Sequence, residues 1–224
     1  TNDDDDSSLR VVVEQDVVVA AYEVWEEHRH LAAVEHLYVD TISMLKELKT
    51  DHPSAIIGAI TNGKGNPLKM PVVAEYFDFC VSGEDDDVFP ARKPQAGIYE
   101  VAIERFKSLS DDNHSDDSGS NGYCWIHVGD DLANDVGASA KCGARAVWVD
   151  LDDEYNQTAS ENNVSTEQPA WSTATKEEIE KRKKMSAQAQ QYVTERVSRL
   201  EQLPAAIRSI SNSMNMQSSP VDSK

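Results

Sequence analysis

The sequence predicts an α/β protein built on a parallel sheet. Four short apolar runs, "AIIGAIT", "YFDFCVSG", "CWIHVG" and "ARAVWVD", are spaced along the chain. Helix-like stretches lie between them, and each of the first three runs stops at glycine or a polar residue. Strands alternating with helices form parallel sheets, and such sheets present ligands to the C-terminal ends of their strands.

The elements follow in order. After a polar start, "VVVEQDVVVAAYEVWEEHRHLAAVEHLY" has helical periodicity, with Val17, Ala20, Ala21, Val24 and Trp25 recurring on one face. Asp40 is positioned to cap a second helix, "TISMLKELK", whose Ile42, Leu45 and Leu48 face a core and which His52-Pro53 ends. "AIIGAIT" is a buried strand stopping at Asn62-Gly63, and "YFDFCVSG" is the second strand. "QAGIYEVAIERFKS" is an amphipathic helix with Ile98, Val101, Ala102 and Phe106 on one face. A Ser/Asp/Gly/Asn-rich insertion, Ser108 to Gly122, precedes the third strand, "CWIHVG". The helix "LANDVGASAKC" and the fourth strand, "ARAVWVD", come next. Asp152 to Trp171 is polar and expected to be mobile, and a charged helix follows near "KEEIEKRKKMSAQAQQ". "YVTERVSRLEQLPAAIRSI" supplies a last short strand and a closing helix, with a disordered tail expected from Ser211.

The chain of 224 residues is long enough for one sizeable domain, yet its mean hydropathy of -0.55 is low for a compact globule. Its formal net charge is -19, from 40 acidic and 21 basic residues, which argues against binding a nucleic-acid backbone. Much of the acid lies in runs such as "TNDDDDSS", "GEDDD" and "SLSDDNHSDDSGS", which read as solubilising charge. Cys80, Cys124 and Cys142 make no disulfide framework and no metal-ligand spacing; they read as buried thiols of a reducing, intracellular compartment such as the cytosol or a plastid lumen. No apolar run approaches the roughly 18 residues of a membrane helix. A nucleic-acid or membrane partner is therefore not expected.

Three features fall at strand ends. Thr61 and Asn62 close the first strand and offer a hydroxyl and backbone N–H groups to an anion. Lys93, in "ARKPQAGIYE", precedes a helix, with Pro94 holding its neighbourhood extended. Asp130 closes the third strand, with Asp131 beside it and Asp135 a turn further on. Each feature has a plainer explanation: a turn, a surface lysine, or acids favoured by a helix N-terminus. Converging on one crevice, however, a hydroxyl, an ammonium and a carboxylate suit a phosphate with Mg²⁺.

Taken in order, "AIIGAITNG", "RKP" and "IHVGDDLANDVGA" resemble the second, third and fourth motifs of the haloacid dehalogenase (HAD) superfamily of phosphohydrolases. The resemblance covers roughly Tyr38 to Asp150. It implies a three-layer Rossmann-like core with Mg²⁺ held by Asp130. Asp135 would stand behind the metal's direct ligands or orient Lys93, and Asp131 would serve the turn or the metal's outer shell. Thr61, Asn62 and Lys93 would bind the phosphoryl group of a small substrate. Within the family, "ITNGKGNPLKMPVVAEYFDFCVSGE" and "IHVGDDLANDVGASAKCGARAVWV" are most similar to flavin-pathway phosphatases, which act on flavin mononucleotide or a phosphorylated riboflavin precursor.

The family's nucleophile is an Asp in a DxDx[TV] motif that closes an apolar strand. Asp3, Asp5 and Ser7 have that spacing, but no apolar strand precedes them. By resemblance, "VVVAAYEVWEEHRH" is the last helix of a helical cap, and the chain is expected to be an N-terminally incomplete, inactive fragment. The missing strand would lie between those ending at Thr61 and Gly129. The expected organisation is 1–10 disordered, 11–37 cap helix and linker, and 38–151 core. A polar insertion at 152–175, a helix–strand–helix segment at 176–210 and a disordered tail at 211–224 complete it. A dehalogenase or phosphomutase on the same scaffold, or a catalytically inactive binding module, are the alternatives.

Overall fold

The computed structural model describes residues 5–111, 123–151 and 175–217. It is an α/β fold whose five described strands all pair in parallel. β1 (Gly58–Thr61) pairs with β2 (Phe79–Ser82) in one sheet. β3 (Ile126–Gly129), β4 (Arg145–Val149) and β5 (Val193–Val197) form a second sheet in that order. The described residues place no strand between β1 and β3.

The helices are α1 (Asp5–Glu35), α2 (Thr41–Asp51), α3 (Gly97–Asp111), α4 (Ala138–Lys141), α5 (Lys176–Ala189) and α6 (Leu203–Gln217). On α2, the spacing of Met44, Leu45 and Leu48 turns one apolar face inward. That face packs with Val147 of β4, Val197 of β5 and Leu203 and Ile210 of α6. A second core joins β2 to α3 and α4 through Val81, Val88, Ile98, Tyr99, Ala102 and Ala138. A capping box begins α5: Glu178 N–H donates to the Thr175 hydroxyl, and Thr175 N–H donates to the Glu178 carboxylate. Past α4, Gly143 turns the chain into β4 at φ 103, a left-handed conformation that glycine adopts without cost.

Several expectations change. Helix α1 begins at Asp5, inside the stretch 1–10 expected to be disordered; a run without Gly or Pro lets a nucleated helix propagate. Its apolar stripe is not buried: Val17, Val24 and Trp25 are 61%, 56% and 50% exposed, because no described element covers that face. Asp40 makes no side-chain cap to α2; its carbonyl accepts from Met44 N–H instead. "LANDVGASAKC" is a π-helical turn, Leu132–Gly137, followed by α4. Helix α3 runs to Asp111, so only 112–122 of the predicted insertion lies outside the described residues, as does 152–174. Helix α6 continues to Gln217, through part of the tail expected to be disordered. Cys124 is exposed rather than buried, at the entry to β3, while Cys80 and Cys142 are half-buried. The "GEDDD" run is not only solubilising: Asp85 accepts from Ser82 N–H and pairs with Arg105 of α3 at 3.1 Å.

Candidate active site

Asn62, just beyond β1, holds the segment that carries Lys93. Its side-chain amide donates to the Lys93 carbonyl at 3.0 Å, and its carbonyl oxygen accepts from Lys93 N–H at 2.8 Å. This two-point clamp fixes the main chain of Lys93, whose bond to Pro94 is cis. Asn62 was expected to offer only its backbone to an anion; its amide is instead spent on Lys93. The Thr61 hydroxyl accepts from Gly63 N–H at 3.2 Å, which leaves its own proton free to donate.

The Lys93 ammonium reaches across to the second sheet and donates to Asp135 Oδ1 at 2.7 Å. Asp135 is buried, and its Oδ2 accepts from Asp131 N–H at 3.1 Å. His127 Nε2, on β3, lies 3.7 Å from Asp135 Oδ1. Burial alone would raise the Asp135 carboxyl; His127, Lys93 and the Asp131 N–H outweigh it and hold the pKa at about 2. The group is a carboxylate that neutralises Lys93 and fixes its direction. The end of β3 allows this approach because residue 129 is glycine: a Cβ there would overlap the Asp135 side chain.

Asp131 caps the π-helical turn. Its Oδ1 accepts from Ala133 N–H and Asn134 N–H, each at 2.9 Å, and its carboxylate also pairs with Arg182 of α5. Asp131 was expected to serve the turn or a metal's outer shell, and these bonds are those of a turn cap. Asp130 differs. Its carbonyl accepts from the Trp148 indole at 3.0 Å, but its carboxylate is exposed and has no partner among the described residues.

The structure therefore brings Asn62, Lys93, Asp131 and Asp135 into one hydrogen-bonded set at the strand ends. Thr61 lies beside Asn62, and Asp130 beside Asp131. Sequence reasoning passed over His127 and Tyr99. Tyr99 is fully buried on α3, and its hydroxyl donates to the Asn134 carbonyl. Strand alternation was the available signal for His127, since residues 127 and 129 share a face and 129 abuts Asp135.

Residues 90–174 match the family model described as HAD-hydrolase-like. The match spans less than half of the chain. It contains Lys93, Asp130, Asp131 and Asp135, whereas Thr61 and Asn62 precede it. Among solved structures, a 2-haloacid dehalogenase from Pseudomonas syringae pv. tomato is similar at 20% identity and a TM-score of 0.45. The match covers 78% of this chain and 54% of that one. A HAD phosphatase from Thermococcus onnurineus is similar at 19% identity and a TM-score of 0.42, covering 76% and 58% respectively. The chain thus spans little more than half the length of these structures. No curated protein matches the chain.

Within the matched stretch, Asp130 offers one hard oxygen donor of the kind Mg²⁺ prefers. Among the described residues, no group of three or more His, Cys, Asp or Glu side chains stands close enough to hold a metal ion. Asp135 is committed to Lys93 and Asp131 to its cap, so Asp130 fits a metal as a single ligand rather than as part of a complete set. No helix among the described residues is long and apolar enough to cross a membrane.

Proposed function

We propose that this chain is part of a Mg²⁺-dependent phosphatase acting on a small phosphorylated metabolite. Flavin mononucleotide and a phosphorylated riboflavin precursor are the first candidates. Lys93, aimed by Asp135 and clamped by Asn62, neutralises charge on the phosphoryl group. The Thr61 hydroxyl donates to a phosphoryl oxygen. Asp130 contributes one ligand to Mg²⁺, which when bound would neutralise further charge on the phosphate. By the family resemblance, the nucleophile would be an aspartate of a DxDx[TV] strand that pairs between β1 and β3.

The observation that supports this reading is the Asn62–Lys93–Asp135 chain of bonds, with an exposed Asp130 carboxylate that has no partner among the described residues. An ammonium held by a depressed carboxylate beside a free one is a poor surface ornament and a good phosphate clamp.

Hydrolysis of p-nitrophenyl phosphate and flavin mononucleotide tests the proposal, with the chain alone and with a version extended upstream through a DxDx[TV] strand. The extended protein should turn over in Mg²⁺. Lys93→Met or Asp130→Asn should reduce kcat at least a hundredfold, and Asp131→Asn far less, scaled to the loss of one electrostatic catalytic group. The 224-residue chain should form no aspartyl-phosphate. Robust turnover by that chain, lost on Asp3→Asn, would overturn the assignment and make its acidic start the nucleophile motif.

A further inference from the structure

Helix α1 places a cation over the loop that follows Thr61. Arg29 Nη2 lies 4.0 Å and 3.8 Å from where Cβ atoms would sit at Gly63 and Gly65, and apart from each glycine's chain neighbours no other atom of the described residues comes within 4 Å of either position. Two glycines thus floor an open bay roofed by a guanidinium. Side chains at 63 and 65 would fill it.

The guanidinium is held but not neutralised. Arg29 is half-buried and stacks on the Trp25 ring, 5.3 Å from its centroid. Arg92, Arg105, Arg182, Arg196, Arg199 and Arg208 each pair with a carboxylate, as expected in a chain of net charge -19. Arg29 has no carboxylate partner among the described residues, nor does the exposed Arg145. Lys64, on the loop between the two glycines, also lacks one, and its ammonium sits 4.8 Å from the Tyr22 ring centroid. Arg29 is therefore the unpaired cation at the bay, whereas Lys64 beside it is shared between the Tyr22 hydroxyl and the field of the Glu26 and Glu84 carboxylates.

The helix is locked in this position. His30 is buried; its Nδ1–H donates to the Glu26 carbonyl at 2.7 Å, so Nε2 accepts from Asn66 N–H at 3.2 Å. Lys69 pairs with Glu26 at 2.9 Å. These contacts bracket Arg29 and tie α1 to the loop. The bay adjoins a polar cleft of about 340 Å³ whose charged lining is mixed: Lys64, Lys69 and Arg105 face Glu26, Glu84 and Asp85, with Lys69 paired to Glu26 and Arg105 to Asp85.

We infer that Arg29, with Lys64, binds an oxyanion of the substrate in the bay over Gly63 and Gly65. The inference rests on the phosphatase reading for the identity of the neighbouring phosphoryl site. The oxyanion is either the transferred phosphate or a second anionic group on the same molecule. A guanidinium offers its N–H donors in a fork that matches oxygen pairs, and here its stacking on Trp25 orders it before the ligand arrives.

Titration calorimetry on the 224-residue chain at low ionic strength tests this, with inorganic phosphate, glucose 6-phosphate and fructose 1,6-bisphosphate as ligands. Low salt matters because exposed charges are screened at higher ionic strength. Arg29→Gln should weaken binding about tenfold, the usual loss for one charge-assisted contact, and Arg29→Lys by less. A loss confined to the bisphosphate places the oxyanion at a second group; a loss for all three ligands places it at the transferred phosphate. Gly65→Val, which fills the bay and keeps both cations, should weaken binding as well. Circular dichroism and thermal melting must show each variant folded; if Arg29→Gln is not, Gly65→Val alone decides. Unchanged affinity in the folded variants, or no binding by the unaltered chain at 10-millimolar-scale ligand (roughly the weak limit for such contacts), overturns the inference. If Arg29 matters to binding while the extended protein shows no Mg²⁺-dependent turnover, the phosphatase reading falls and the anion site stands.

Discussion

At the scale of single residues, the candidate site depends on keeping one buried carboxylate charged. The Asp135 pKa of about 2 lies below the ordinary 3.8, so the folded state binds this proton less readily than the unfolded one. Its stabilising contribution is therefore complete above the unfolded value and is lost as pH falls from about 5 through 2. The difference corresponds to about 2 kcal/mol. Chemical denaturation between pH 7 and 3 should show Asp135→Asn with a flatter pH dependence than the unaltered chain. Identical slopes would mean that Lys93 and His127 do not hold the carboxylate down. The sequence singled out Lys93, Asp130 and Asp135 by their order near strand ends and helix starts, and the pairing of Lys93 with Asp135 was one of its expectations. The clamp by the Asn62 amide and the approach of His127 were not among them. Both are made across dozens of residues of chain, and local pattern carries no trace of which side chains meet there.

At the scale of elements, glycine at 129 lets β3 end against the turn that carries Asp135. Gly129→Ala should force that turn outward and cost about 1–3 kcal/mol or more, the usual range for overpacking. Thermal unfolding with a parallel assay of Asp135 protonation would read both effects; a neutral substitution would mean that the turn yields freely. The order and type of the elements followed from apolar runs and helical spacing, and even the short β5 was anticipated. The burial of α1 was not, for a periodic stripe states which face is apolar but not whether anything covers it. The two cases separate experimentally. Val24→Lys on α1, at 56% exposure, should leave stability within about 0.5 kcal/mol, whereas Ile98→Ala on α3, at 0%, should cost about 2–5 kcal/mol. A large loss from Val24→Lys would show that α1 is covered in solution.

At the scale of the whole molecule, the site is also a joint. The β1–β2 sheet and the β3–β4–β5 sheet share no ladder hydrogen bonds among the described residues, yet Asn62 belongs to one side and Asp135 to the other. Lys93 connects them: its backbone is bonded to Asn62 and its ammonium to Asp135. This arrangement was only half visible in the sequence, where the lysine could be assigned to phosphate chemistry but not to bracing. Lys93→Met keeps the length and apolar stem of the side chain while leaving Asp135 buried without its main cation. Breaking a buried pair by removing one partner typically costs about 3–5 kcal/mol, because the remaining charge is uncompensated. Lys93→Met combined with Asp135→Asn should recover part of that loss, since the stranded charge is then gone. Hydrogen exchange adds the spatial test. If the lysine braces both sheets, protection at Ile60 and Thr61 of β1 should fall together with that at His127 and Val128 of β3. In the double variant, stability should recover while the matched loosening of the two strand ends persists. Loosening confined to β3 would reduce Lys93 to a partner of Asp135 alone.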